Sequence, residues 1–317
     1  MATSPHQTAR EPLTMAATNL RERRWARFLN RYGFILAVLV PILLWFSIFS
    51  FGPILYALYA SLTNTHSLDP SRARFVGLDN YISLLDDRRF LASMRNVVQF
   101  VLTKGVLNIV LSLGLALLLE RLRRGRNLYL FFIFMPVVIS QVAVAMLFLW
   151  LYDPRLGLIN YLLSLVEIPP QSFIRSTAQA IYSVAIADVW KTYGYAAVIF
   201  LAGLLDIPQD YYEAARVDGA TRLQTLWRVT LPLLKNPLVL VLVLIVIDGV
   251  QHFTMVQVMT GGGPADSTLM PSILVYNYGL GANNYRMGYA CAISFLMFAV
   301  ILVVTVLQLR LFRSLYD

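Results

Sequence analysis

Cysteine is nearly absent from this chain. The single Cys291 sits inside an apolar run, so no internal disulfide is possible and cysteine says nothing about the redox compartment. Histidine is almost as scarce. His6, His66 and His252 lie far apart in the sequence, which argues against a metal-ligand cluster. No GxxxxGK(S/T) loop is present to cradle nucleotide phosphates, so ATP hydrolysis by this chain is not expected. HExxH and GxSxG are missing too, which leaves a membrane protease or esterase without apparatus. Charged residues make up only 14% of the 317 positions. The N-terminus does not look like a cleavable signal peptide, because its polar start is followed by an apolar block too long for an h-region.

What is present is aliphatic and aromatic. Hydrophobic residues reach 58% and mean hydropathy is +0.65, more apolar surface than one water-soluble core of this size can bury. The apolar residues come in blocks of about 20, enough to cross a hydrocarbon layer roughly 30 Å thick. A net charge of +9 is compatible with nucleic-acid binding, but the arginines cluster at the ends of apolar blocks, as in membrane orientation, and no nucleic-acid partner is expected.

Read in order, residues 1–31 form a polar tail ending in Arg21, Arg23, Arg24, Arg27 and Arg31, which places the N-terminus on the cytoplasmic side. Residues 32–313 form the membrane domain. Span one runs from Tyr32 to about Gly52, with a helical continuation to Leu62. A turn at Phe75–Tyr81 leads into a short amphipathic helix on the outer face. Span two is about Val97–Leu119, followed by the arginine-dense loop Glu120–Arg126. Span three, about Asn127–Leu151, contains Pro136 and should kink there. An external loop with a short helix near Leu158–Val166 precedes span four, about Ala178–Leu204. Span five begins near Pro237 and degrades into a polar half, Asp248–Gln257. Thr260-Gly-Gly-Gly-Pro264 reads as an external turn, and span six is about Met287–Leu309. The expectation is an all-α integral membrane protein with six transmembrane helices and both termini cytoplasmic.

Between spans four and five lies a charged, small-residue insert, residues 205–235. Asp210 with Glu213 fits an N-cap and N3 pair, Gly219 suits a left-handed helix end, Thr221 with Gln224 repeats the capping pattern, and Pro232 closes the unit. This spacing predicts helix, tight turn, helix, with Ala214, Ala215, Gly219 and Ala220 leaving a low surface. One reading is a well-capped surface loop. The other is a docking knob for a second protein.

The knob resembles the cytoplasmic loop signature of permease subunits of bacterial ABC importers: Glu213-Ala-Ala, Gly219, then Val229-x-Leu231-Pro232. Asp218-Gly219-Ala220 and Leu231-Pro232-Leu-Leu are similar to the carbohydrate-uptake branch, the maltose and glycerol-3-phosphate type. Phe253 before the Thr260–Pro264 turn, Tyr278, and Gly288-Tyr-Ala290 fit the same family, and the likeness extends over about Gly33–Arg313. One departure is Gly281-Ala282, where the family commonly has Ala-Phe. The resemblance implies a type I importer transmembrane fold in the bacterial inner membrane. It also implies a second permease of similar fold, an external solute-binding protein, and two ATPase subunits that hold ATP and Mg. Glu213, Ala214, Ala215, Asp218, Gly219, Leu231 and Pro232 would couple to an ATPase.

Charges at membrane depth cost about 2.5 to 3.5 kcal/mol each on insertion scales, so each demands a reason. Span four carries Asp188 and Lys191, spaced to neutralise each other on one helix face. They form either an internal ion pair or a polar wall of a transport cavity. Trp190 and Tyr193 beside them are candidate contacts whose plainer role is packing. Span five offers Asp248, Gln251, His252 and Phe253: carboxylate, amide and aromatic groups of the kinds that bind sugars. Asp248 and His252, four apart, are placed to pair, while Gln251 and Met255 share another stripe. Asn108, Gln141 and Asn160 are weaker candidates, since such residues in spans more often bond across helices. The rival reading is a proton-coupled secondary transporter using Asp188, Lys191, Asp248 and His252. The absence of an inverted repeat weighs against it.

Overall fold

A computed structural model describes residues 32–66, 69–122, 124–281 and 285–314. The tail 1–31 with its arginine cluster, Ala282 and the Arg313 side chain lie outside this description. Two units are distinguished, residues 1–59 and 60–317. Helix α1 (Tyr32–Ser61) makes up the described part of the first and ends two residues past its boundary; it is apolar enough to cross a membrane, with a π-helical stretch at Ser47–Phe51.

The second unit is helical among its described residues, apart from two isolated bridges. Helix α2 (Asp79–Asp86) and α3 (Arg88–Glu120) come first. The Asp87 carboxylate starts α3 by accepting from the backbone amides of Arg89 and Phe90. Span two is therefore longer than its apolar core suggested, because Asp87 nucleates a polar first turn ahead of Val97. Helices α4 (Arg126–Val138) and α5 (Gln141–Leu151) meet at a bend of 94°. The kink expected from Pro136 falls just after it, at Ile139 and Ser140. A short α6 (Leu158–Ser164) precedes α7 (Ala180–Leu205). Then come α8 (Gln209–Val217), α9 (Arg222–Leu233) and α10 (Lys235–Val250), with a bend of 70° between the last two. Helices α11 (Thr254–Met259), α12 (Pro271–Gly279) and α13 (Met287–Ser314) complete the chain. Among the described residues four single helices are long and apolar enough to cross a membrane, and up to six crossings result if each bent pair counts as one.

Helix α7 is the hub. In its most apolar window 56% of residues are buried, against 28% in α3 and 22% in α13, because Ala185, Ala187, Gly194, Ala196 and Ala197 let neighbours approach closely. It packs along α3, against α4, and against α10. A Cβ on Gly194 would lie 2.2 Å from the Ile133 carbonyl oxygen of α4. Gly194→Val is therefore expected to push α4 off α7 and to lower the thermal midpoint of the purified protein by several degrees. An unchanged midpoint would show that the two helices have room to separate.

Two apolar clusters fill the second unit. One gathers Phe100, Val184, Met255, Ile273 and Ile293. The other gathers Ala116, Phe200, Leu204, Leu234 and Val241. Lys104 on α3 and Asp188 on α7 lie in sequence between members of the two clusters, so these buried charges sit at the seam, with the half-exposed Asp248 of α10 beside them.

Candidate functional site

The seam is an ion network. Lys104 is 2% exposed on its side chain and its ammonium lies 2.5 Å from Asp188 Oδ2. The same ammonium also bonds Asp248 Oδ2. His252 completes the group, with Nε2 4.0 Å from Asp188 Oδ1 and Nδ1 3.8 Å from Asp248 Oδ2. The Phe100 ring covers His252 at 4.6 Å between centroids. Three helices are thus tied through one lysine, and His252 at the break after α10 lies beside both carboxylates. A buried charge is tolerable only when paired in this way.

This geometry corrects the expected pairing of Asp188 with Lys191. Lys191 turns toward α4 and donates to the Val137 carbonyl at 2.9 Å, one of the carbonyls freed where the bend after Pro136 interrupts the helix. Asp188 faces α3 instead. Lys104 went unnoticed in the sequence, although the signal was present: a lone lysine within the apolar stretch Val97–Leu119. Asp248 and His252 do approach each other, as their spacing suggested. Asp188, Asp248 and His252 bring three ligand atoms within 4.8 Å of one another, a convergence that the scattered histidines did not foreshadow. Lys104 already supplies the cation between the two carboxylates.

Other candidates separate. Gln251 is exposed while Met255 is fully buried, since the break at Gln251–Phe253 interrupts the helical stripe they were expected to share. Phe253 packs on Tyr276 at 5.5 Å, and Trp190 on Phe148 at 5.6 Å. Tyr193 is half-buried. Asn108 bonds across helices, its amide donating to Thr192 Oγ1 at 2.9 Å. A cavity of about 310 Å³ opens beside the network, with Lys104, Asn108, Thr192, Tyr195, Asp248 and Gln251 in its wall.

The insert between α7 and α10 folds as helix, turn, helix, with one correction. Pro208, not Asp210, occupies the N-cap of α8, and no side chain caps it. Asp210 falls inside the first turn, where its charge still suits the helix dipole. Glu213 lies 3.9 Å from Arg216 rather than in a capping box. The α8 C-terminus is a Schellman motif: the Ala220 amide donates to the Ala215 carbonyl (2.9 Å) and the Gly219 amide to that of Arg216 (3.1 Å). Gly219 holds φ +72° with open space around it. Thr221 and Gln224 then form the expected capping box. Glu213, Ala214, Asp218 and Gly219 are exposed, Ala215 is buried, and Leu231 and Pro232 are half-buried in α9. Tyr211, Val217 (87% exposed), Leu223 and Trp227 (65% exposed) leave apolar surface on the knob, more than isolated surface residues would.

At the other end of the unit, the Thr260–Pro264 turn is pinned. Thr268 Oγ1 donates to the Gly263 carbonyl at 2.8 Å. Arg89 at the start of α3 holds Asp266 through two bonds of 3.1 and 3.0 Å. The Asn96 amide donates to the carbonyls of Asp266 and Leu269.

Comparison with known proteins agrees with this architecture. The family described as binding-protein-dependent transport system inner membrane component matches residues 108–315. A trehalose/maltose transport system permease protein, MalF, of Thermococcus litoralis is 34% identical, covering 87% of this chain and 92% of its own. An sn-glycerol-3-phosphate transport system permease protein, UgpA, of Agrobacterium fabrum is 32% identical over 83% of this chain and 89% of its own. Among solved structures, a bacterial ABC transporter that imports the acidic polysaccharide alginate shares the fold, with a TM-score of 0.75 and 23% identity over 93% of this chain and all of that one. ATP hydrolysis in such importers is the work of separate subunits. With its apolar helices, its family match and its full-length relatives, the chain belongs to the binding-protein-dependent transport system inner membrane components, the multi-pass permease subunits of ABC importers.

Proposed function

We propose that this permease moves a sugar or related polyol inward by alternating access, driven by two ATPase subunits that bind ATP and Mg. A second permease of similar fold completes the pathway, and an external solute-binding protein delivers the solute. The relatives named for trehalose/maltose and for glycerol-3-phosphate support the solute class. The chain lies in the bacterial inner membrane with both termini and the 205–235 loop cytoplasmic, as the arginines around Glu120–Arg126 and at Arg310 suggest.

The observation that carries the reading is the knob: a short, doubly capped helical pair with exposed Glu213, Ala214, Asp218 and Gly219 beside bare Val217 and Trp227. A surface that is both rigid and apolar suits a socket on another protein. Its motion reaches the membrane through α7 on one side and α9, with Leu231 and Pro232, on the other. The spans then swing as near-rigid bodies. The cavity beside Asp248 and Gln251, with Asp188 and His252 behind it, handles the solute, while Trp190, Tyr193 and Phe253 shape the packing around it. Lys191 braces α7 against α4.

Reconstituting the full complex in vesicles tests this. Sugar uptake is expected to require ATP and to persist when the proton gradient is collapsed. Uptake that follows the gradient and ignores ATP would restore the secondary-transporter reading, with Asp248 and His252 as relay groups.

A further inference from the structure

Two residues in the wall of the cavity carry charge, and they present it unequally. The Lys104 side chain is 2% exposed and its ammonium is held by both carboxylates, whereas the Asp248 side chain is 50% exposed. A solute in the cavity therefore meets the carboxylate and not the ammonium. Behind it, one ammonium faces two carboxylates. With both carboxylates ionised, the pairing of one ammonium with two carboxylates leaves one negative charge in excess. Lys191 of α7 is turned to the Val137 carbonyl of α4 and does not line the cavity.

We propose that Asp248 makes this cavity a charge filter, which admits neutral or cationic saccharides and excludes acidic ones such as sugar phosphates and uronates. The inference rests on the cavity being part of the solute's path. Family and fold leave the matter open. Relatives are named for trehalose and maltose, which are neutral, and for glycerol-3-phosphate, which is an anion, while the alginate importer takes an acidic polymer. The residue decides. Both contacts of Asp248 with the network fall on Oδ2, so Oδ1 remains for a hydroxyl, and a hydrogen bond to a charged acceptor is about twice as strong as a neutral one. An anion at the same place meets repulsion that salt screens poorly away from bulk water.

The experiment reads the field directly and does not depend on which solute the binding protein delivers. Gln251, exposed on the cavity wall, is replaced by cysteine in the full complex, with Cys291→Ser and no other cysteines. Its labelling by cationic trimethylammonioethyl methanethiosulfonate is compared with labelling by the anionic sulfonatoethyl reagent, each relative to a small thiol in solution. The cationic reagent is expected to be favoured about tenfold beyond its solution preference, the lower end of field focusing in clefts. Asp248→Asn should abolish the preference, and Asp248→Glu should keep it. A preference unmoved by Asp248→Asn, or one for the anion, overturns the filter while ATP-driven sugar uptake stands. Failure of both reagents to label Gln251→Cys removes the cavity from the path, and the filter with it.

Discussion

Lys104→Met is expected to deplete folded permease from the membrane more severely than any other single change in the spans. Among the described residues Lys104 is the only partner within ion-pairing distance of Asp188 besides His252, and Asp188 is fully buried. Methionine fills the space but leaves two carboxylates facing each other in a low dielectric. Breaking a buried pair by removing one partner costs about 3 to 5 kcal/mol, a large fraction of the stability of most folded domains. The network also ties α3, α7 and α10 together close to where the two apolar clusters meet. Combining Lys104→Met with Asp188→Asn should recover most of the loss, because Asp248 is half exposed and keeps some hydration. The amount and thermal midpoint of the tagged protein extracted from membranes would measure both. Equal yields for Lys104→Met and the unaltered chain would mean that the network contributes nothing to folding.

Gly219→Val is expected to leave the protein in the membrane and to disconnect it from its engine. The backbone there has φ +72°, which valine adopts only at a cost of about 1 to 3 kcal/mol. Beyond its own chain neighbours, no described residue comes within 4 Å of the position a Cβ would take, so the effect is conformational and not steric. Strain of that size rivals the typical coupling energy between two sites, about 1 to 3 kcal/mol. The Schellman turn would open and the α8 axis would change relative to α9, moving the knob surface while the spans stay packed. Uptake per ATP hydrolysed should fall about tenfold, which is what 1.4 kcal/mol amounts to. Gly219→Asn, which tolerates the left-handed region, should retain most of it. Transport intact in the valine variant would exclude the knob from the mechanism.

The sequence by itself determined what depends on short range and on solvent. Long apolar blocks had to become helices, because only internally bonded backbone is tolerated in hydrocarbon. Pro136 dictated a break within one turn of its position. Gly219, Thr221 and Gln224 wrote their own turn and cap, since each of those bonds closes within five residues. The cap at Asp210 failed for an equally local reason: Pro208 took the extended N-cap position and moved the start of α8 two residues upstream.

Only the tertiary structure decided which charges meet. Spacing along α7 made Asp188 and Lys191 look like partners, yet side chains three apart diverge when their helix sits between two others. Asp188 found Lys104, 84 residues back, and Lys191 found a carbonyl freed at the α4 bend. A buried carboxylate takes the cation that packing delivers, and packing is set by the small residues that let α7 nest between α3 and α4. That choice, invisible in one dimension, also left Asp248 as the charge that faces the cavity.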